Sequence, residues 1–274
     1  MGIRHSLAGS LIAAAALVIS SLSGCEDSGT GTDYEYQPIE SRINVQLFVP
    51  LPDSVNLTLN CATEEYYPCF NYGLAYNLNR AGRAASINFT GIAIPNICLT
   101  AFGPATCHIP LTSLIPGSYD LTFVIQGKIR YFKLGVSDTN YTVTGTDTDD
   151  VAFVNPVLMR IPKGTVWGYI GYPSLTVAPL VQSFLDSARA LGCQTVQLPG
   201  GDYYYFSIDA EGNIVFSGNY GYYFMKEFIF SYSGAPASIE GLITRYGKAY
   251  GDSLSITVLD TRGNVFYSWV LRQK

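Results

Sequence analysis

The run Leu114-Ile115-Pro116-Gly117-Ser118-Tyr119-Asp120-Leu121-Thr122-Phe123-Val124-Ile125-Gln126-Gly127 carries a turn signal at each end and a period of two between them. Tyr119, Leu121, Phe123 and Ile125 alternate with Asp120, Thr122, Val124 and Gln126. Extended chain puts these two sets on opposite faces, the pattern of a half-buried strand. Shorter runs of the same kind occupy Ile43–Val49, Val55–Leu59, Tyr72–Leu78, Ala85–Ile94, Lys128–Val136 and Tyr141–Thr144. Hairpin turns are expected at Asn79-Arg80-Ala81-Gly82 and at Gln126-Gly127. Short strands at this spacing predict a β-sandwich over residues 41–160.

The segment Leu114 to Leu121 also resembles the "leucine, x, proline-glycine, x, tyrosine, x, leucine" run of immunoglobulin-like and prealbumin-like modules of bacterial surface proteins. The resemblance implies that Pro116-Gly117 makes a turn and that Tyr119 starts a core strand. It covers about ten residues and implies no ligand.

Residues 161–274 read differently. Val177, Leu180, Val181, Phe184, Leu185, Ala188 and Leu191 recur at helical spacing, with Pro179 in the first turn and Gly192 as the stop. Ile239, Leu242, Ile243 and Tyr246 suggest a second helix. Two matched turns, Asp209-Ala210-Glu211-Gly212-Asn213 and Asp260-Thr261-Arg262-Gly263-Asn264, bracket hairpins. The expectation is a mainly β chain: a sandwich, then a Tyr-rich α+β domain with an antiparallel sheet and one or two helices on one face.

Upstream, Arg4 and His5 precede an uncharged apolar run, Leu7–Leu22, the form of an export signal. Leu22-Ser23-Gly24-Cys25 follows and resembles the lipobox of bacterial lipoproteins. That resemblance implies removal of residues 1–24 and diacylglycerol attachment to Cys25, so membrane lipid is an expected partner. Residues 25–40, rich in Gly, Ser, Thr and Asp, are expected to be a flexible tether. The body would then be anchored to the cell envelope, at the outer membrane.

Composition narrows function by exclusion. A net charge of −5 without a Lys/Arg cluster offers nothing for nucleic-acid phosphates. There is no C-x-x-C pair, no Gly-x-Ser-x-Gly elbow and no Gly-rich phosphate loop, and His108 is expected on a surface loop. No catalytic residue, metal or cofactor is assigned. Export suggests disulfides, with Cys61, Cys69, Cys98 and Cys107 as candidates. Four cysteines allow three pairings; the local pairs Cys61/Cys69 and Cys98/Cys107 are favoured because each would staple a loop rich in Pro, Asn and Gly. Thr146–Asp150 reads as a solvated acidic turn, since it lacks the Gly and terminal Glu of an EF-hand loop.

With 21 tyrosines, the aromatic cluster is the strongest candidate surface. In a strand, Tyr203 and Tyr205 face one way and Tyr204 and Phe206 the other, and Tyr220 and Tyr222 follow. Tyr203, Tyr205, Tyr220 and Tyr222 are therefore the candidate binding residues for a protein, peptide or glycan. The functional expectation is a non-catalytic binding or structural protein. The alternatives are an envelope hydrolase with carboxylates distant in sequence and an accessory subunit of a membrane assembly.

Overall fold

A computed structural model describes residues 35–52, 56–216 and 221–268. The leader, the Leu22–Cys25 motif, most of the tether and Tyr220 lie outside the described residues. Tyr34–Lys274 forms one compact unit, and its secondary structure is mainly β.

One curled sheet contains β1 (Tyr36–Gln37), β2 (Ile43–Phe48), β3 (Leu57–Tyr67), β4 (Gly73–Ala81), β5 (Ala84–Ala93), β6 (Gly103–Leu111), β7 (Gly117–Ile125), β8 (Lys128–Val136), β9 (Asn140–Thr144), β10 (Val151–Phe153) and β11 (Val157–Met159). Among the described residues, β4 and β6 are paired only at Gly73 opposite Thr106. At this seam the sheet folds, so that β10-β2-β3-β6 and β4-β5-β7-β8-β9-β11 share one apolar core. Ile43, Val45 and Leu47 from the first half meet Leu121, Phe123 and Leu134 from the second in that core. Each such side chain contributes roughly 1.5–3 kcal/mol on burial.

The alternation at Tyr119, Leu121, Phe123 and Ile125 holds, and all four are buried. Gly117, at φ +136°, makes the turn ahead of them. The Tyr119 hydroxyl accepts from the Ile115 N–H at 2.9 Å and donates to the Ile115 carbonyl at 3.1 Å. Gln126 and Gly127 both take positive φ, as a two-residue hairpin turn requires.

Three expectations are corrected in this layer. His108 lies on β6, a strand, and not on a loop; its Nδ1 is 2.8 Å from Asn60 Oδ1 across the β3 pairing. Pro104 and Pro110 disguise β6. They share the parity of Thr106, whose N–H points across the seam to the Tyr72 carbonyl, so their missing donors fall on the side away from β3. Second, the β4–β5 turn falls at Gly82-Arg83, later than Asn79–Gly82. Third, the disulfide joins Cys69 to Cys98, neither of the two local pairs. Cys61 and Cys107 are buried free thiols directly opposite each other on β3 and β6. Hydrogen bonding to Cys107, and then burial, raise Cys61 well above the ordinary thiol range.

The second layer holds β12 (Thr165–Tyr172), α1 (Ala178–Ala190), β13 (Gln194–Thr195), β14 (Gly201–Asp202), β15 (Ser207–Ile208), β16 (Ile214–Val215), β17 (Phe224–Ser231), α2 (Pro236–Tyr250), β18 (Ser255–Asp260) and β19 (Val265–Tyr267). The antiparallel order is β13-β17-β12-β18-β19, with β14-β15-β16 as a separate small sheet. Val166 and Ile170 pack under α1 and α2, while Trp167 packs beneath the 203–216 segment on the other face. The two matched turns adopt one geometry. Asp209 accepts from the Glu211 and Asn213 amides, and Asp260 from those of Arg262 and Asn264; Gly212 and Gly263 sit at φ +84° and +85°. Among the described residues no helix is long and apolar enough to cross a membrane.

Asp150 ties the curled sheet together where its halves meet. Its carboxylate takes Lys128 Nζ at 2.8 Å and Arg130 Nε at 3.0 Å from β8, while its carbonyl accepts the Ile43 N–H at the start of β2. The Lys128 hydrogen bond, with Arg130 behind it, holds the carboxyl below the usual carboxylate range. A depressed folded-state pKa stabilises the fold above the unfolded aspartate value near 3.9 and loses that contribution as pH falls through the lower folded value. Asp150→Asn is thus expected to cost about 1–3 kcal/mol at pH 7 by urea unfolding, with the difference from the parent shrinking as pH falls below the unfolded aspartate value. Peptide mapping of the oxidised chain is expected to recover Cys69 linked to Cys98; a Cys61–Cys69 or Cys98–Cys107 peptide would contradict the fold.

Candidate functional site

The residues of the aromatic cluster separate. Tyr204 adopts φ +68°, which breaks the strand alternation expected for Tyr203–Phe206. Tyr203 is 2% exposed, stacks on Phe206 at 5.1 Å and donates its hydroxyl to the Pro199 carbonyl at 2.9 Å. Tyr204 lies 4.3 Å from Phe48. Tyr205 packs 5.6 Å from Trp167, and its hydroxyl donates to the Val49 and Pro50 carbonyls at 3.1 and 3.0 Å. Burial pushes both the Tyr203 and Tyr205 phenols up. These rings join the curled sheet to the second layer, so Tyr203 and Tyr205 do not form a surface platform.

Tyr222 does line a groove. At the end of β12, Tyr172 pairs with Phe224 of β17, and their rings stack at 5.6 Å. Gly171 precedes Tyr172, and a Cβ there would lie 2.3 Å from the Tyr222 ring, so only glycine lets that ring cross the strand. The Tyr222 hydroxyl donates to Ser255 Oγ at 2.6 Å. Tyr223 is 88% exposed. The turn after α2 brings Gly251-Asp252-Ser253 to the opposite wall. The result is an open groove of about 400 Å³ with aromatic faces, serine hydroxyls and the Asp252 carboxylate, and no Lys or Arg among the described residues of its lining. Tyr222 and Tyr223 stand out in the sequence. Asp252 and Ser253 do not, because only the end of α2 places them here.

Carboxylates gather elsewhere. Glu40, Glu64, Glu65 and Asp149 edge a shallow surface with Ser41 and Arg42, and Arg42 holds Glu64 at 3.1 Å. A general acid needs a raised carboxyl pKa. Asp150 and Asp209 are both lowered, Asp209 by the backbone and then the side chain of Asn213. Burial drives the Cys193 thiol up to about 11, which keeps it protonated and a poor nucleophile. Among the described residues no group of three or more His, Cys, Asp or Glu is placed to hold a metal ion.

No protein-family model, curated protein or solved structure matches this chain. Phenol rings beside hydroxyls and one carboxylate suit a ligand with apolar faces and many hydroxyl or amide groups, such as a glycan or a peptide.

Proposed function

We propose that this chain is a lipid-anchored protein of the bacterial cell envelope, with Cys25 acylated at the outer membrane, and that its role is non-catalytic binding. The groove of Tyr172, Tyr222, Tyr223, Asp252 and Ser253 is the observation that carries the binding role. The ligand class is a glycan or peptide, held by stacking on the rings, with its hydroxyl or amide N–H groups donating to the Asp252 carboxylate and the serine hydroxyls. The Tyr119–Ile115 hydrogen bonds and the Pro116-Gly117 turn support the likeness to immunoglobulin-like and prealbumin-like surface modules, in which binding and spacing roles are common.

Two measurements test this reading. Fatty-acid labelling is expected on the full chain and absent from Cys25→Ala, which should leave the membrane fraction; equal labelling of both would end the anchoring proposal. With the lipidated protein, soluble peptidoglycan fragments supply glycan and peptide together. Tyr222→Ala with Tyr223→Ala is expected to weaken their binding about tenfold or more, the equivalent of ~1.4 kcal/mol, with unchanged thermal unfolding. Undiminished binding by the double variant, or no binding by the parent, would refute the groove's assignment.

A further inference from the structure

At one end of the curled sheet, beside Glu64 and Glu65, two loops are apolar and carry no charged side chain. Residues 66–79 and 84–119 contain no Asp, Glu, Lys or Arg. From these two stretches Tyr66, Phe70, Ile97, Leu99 and Phe102 project outward, between 48% and 77% exposed. They lie together. The Cys69–Cys98 disulfide joins their loops, the Phe70 N–H reaches the Leu99 carbonyl, and Phe70 packs over Gly103. The Asn71 amide donates to the Ile97 carbonyl at 2.8 Å and accepts the Leu99 N–H at 3.2 Å. A loop pinned this way cannot fold its apolar side chains back into the core, and such a patch on a protein surface calls for an occupant.

The path of the chain identifies that occupant. Glu35, the first described residue, gives its carbonyl to the Ile94 N–H at 2.9 Å, and β1 continues along β5 with the exposed Tyr36 opposite Ala93. The chain therefore joins the body beside the apolar loop. From Cys25 to Glu35 the chain can reach at most roughly 35 Å. The layer with the groove meets the other end of β2, where Phe48 touches Tyr204, while Ile43 and Thr63 mark the end nearer the patch.

We propose that Tyr66, Phe70, Ile97, Leu99 and Phe102 form a membrane-contacting face that inserts into the interface of the bilayer holding the Cys25 anchor. This rests on the anchoring reading above. Aromatic and aliphatic side chains without charges are the composition that partitions at headgroup depth. The neighbouring Glu64 and Glu65 give anionic headgroups no attraction, so contact depends on apolar insertion and is not weakened by salt. The two acyl chains of a diacylglycerol on Cys25 would hold the chain at the bilayer without fixing how the body sits, and this face would orient it.

The test uses the full lipidated chain in phosphatidylethanolamine/phosphatidylglycerol vesicles, with Cys25 acylation confirmed by fatty-acid label. Phe102→Trp reports the face. Ile115→Trp, exposed and beyond the opposite end of β6 from Gly103, is the control. Each is read as a difference from the parent, which has two tryptophans of its own. Phospholipids brominated near the glycerol end of their chains are expected to quench Phe102→Trp at least threefold more than the control, at high salt no less than at low salt. Equal quenching in an acylated chain would overturn the face and leave the anchoring reading intact. A blue-shifted but unquenched Phe102→Trp would mean that a second copy or another protein covers the patch, and would overturn it too. Absence of acyl label would defeat both.

Discussion

The crossover at Asn155 holds the two layers and both halves of the curled sheet in one arrangement. Residues 151–159 pair first with β2, as β10, and then with β9, as β11, so this short segment belongs to both halves. Between them the Asn155 side chain replaces a missing strand neighbour. Its Oδ1 accepts the Leu47 N–H at 2.7 Å, and its Nδ2 donates to the Leu47 carbonyl at 3.1 Å and to Asp202 Oδ2 at 3.0 Å. Asp202 in turn accepts the Tyr204 N–H at 2.7 Å, which supports the unusual backbone that turns Tyr203 and Phe206 inward together. An unmet backbone pair at the buried Leu47 would cost about 1–3 kcal/mol per group. One amide thus couples the core of the sandwich to the aromatic seam beneath Trp167.

That coupling gives the molecule a direction. The chain arrives at Tyr36 beside the apolar loops, runs through the curled sheet, and crosses at Ile161–Gly164 into β12. The groove lies at the Tyr172 end of that strand, away from Thr165, where the chain enters it. If the groove binds and the apolar loops meet a bilayer, as proposed above, the arrangement is that of a tethered receptor; the tyrosine-rich seam packs the two layers together.

Much of the first layer was legible because its strands are buried on one face only. β2, β7 and β8 alternate cleanly, and the expected bounds of β2 and β8 differ from the observed ones by at most one residue at each end. β12 was missed for the opposite reason. It is covered on both faces, so Val166, Trp167 and Ile170 give no period of two, and Gly168 and Gly171 resemble breakers. In fact those glycines permit close approach; a Cβ on Gly168 would sit 2.1 Å from the Thr257 carbonyl. The disulfide was misplaced because spacing records loop length and not which loops meet. The prolines of β6 concealed a strand that has a full partner on one side only. As for the groove, Tyr222 was visible as an unusual residue, but its opposite wall depends on where α2 ends.

Native-state hydrogen exchange on the parent and on Asn155→Ala tests this coupling most directly. In the parent, the Leu47 amide and the central amides of β12 should open together, with a common free energy. Asn155→Ala should strip protection from Leu47 and lower that of β12 alongside it. Retained protection at Leu47 in the variant, or β12 opening with a free energy unrelated to that of β2 in the parent, would contradict a single coupled unit.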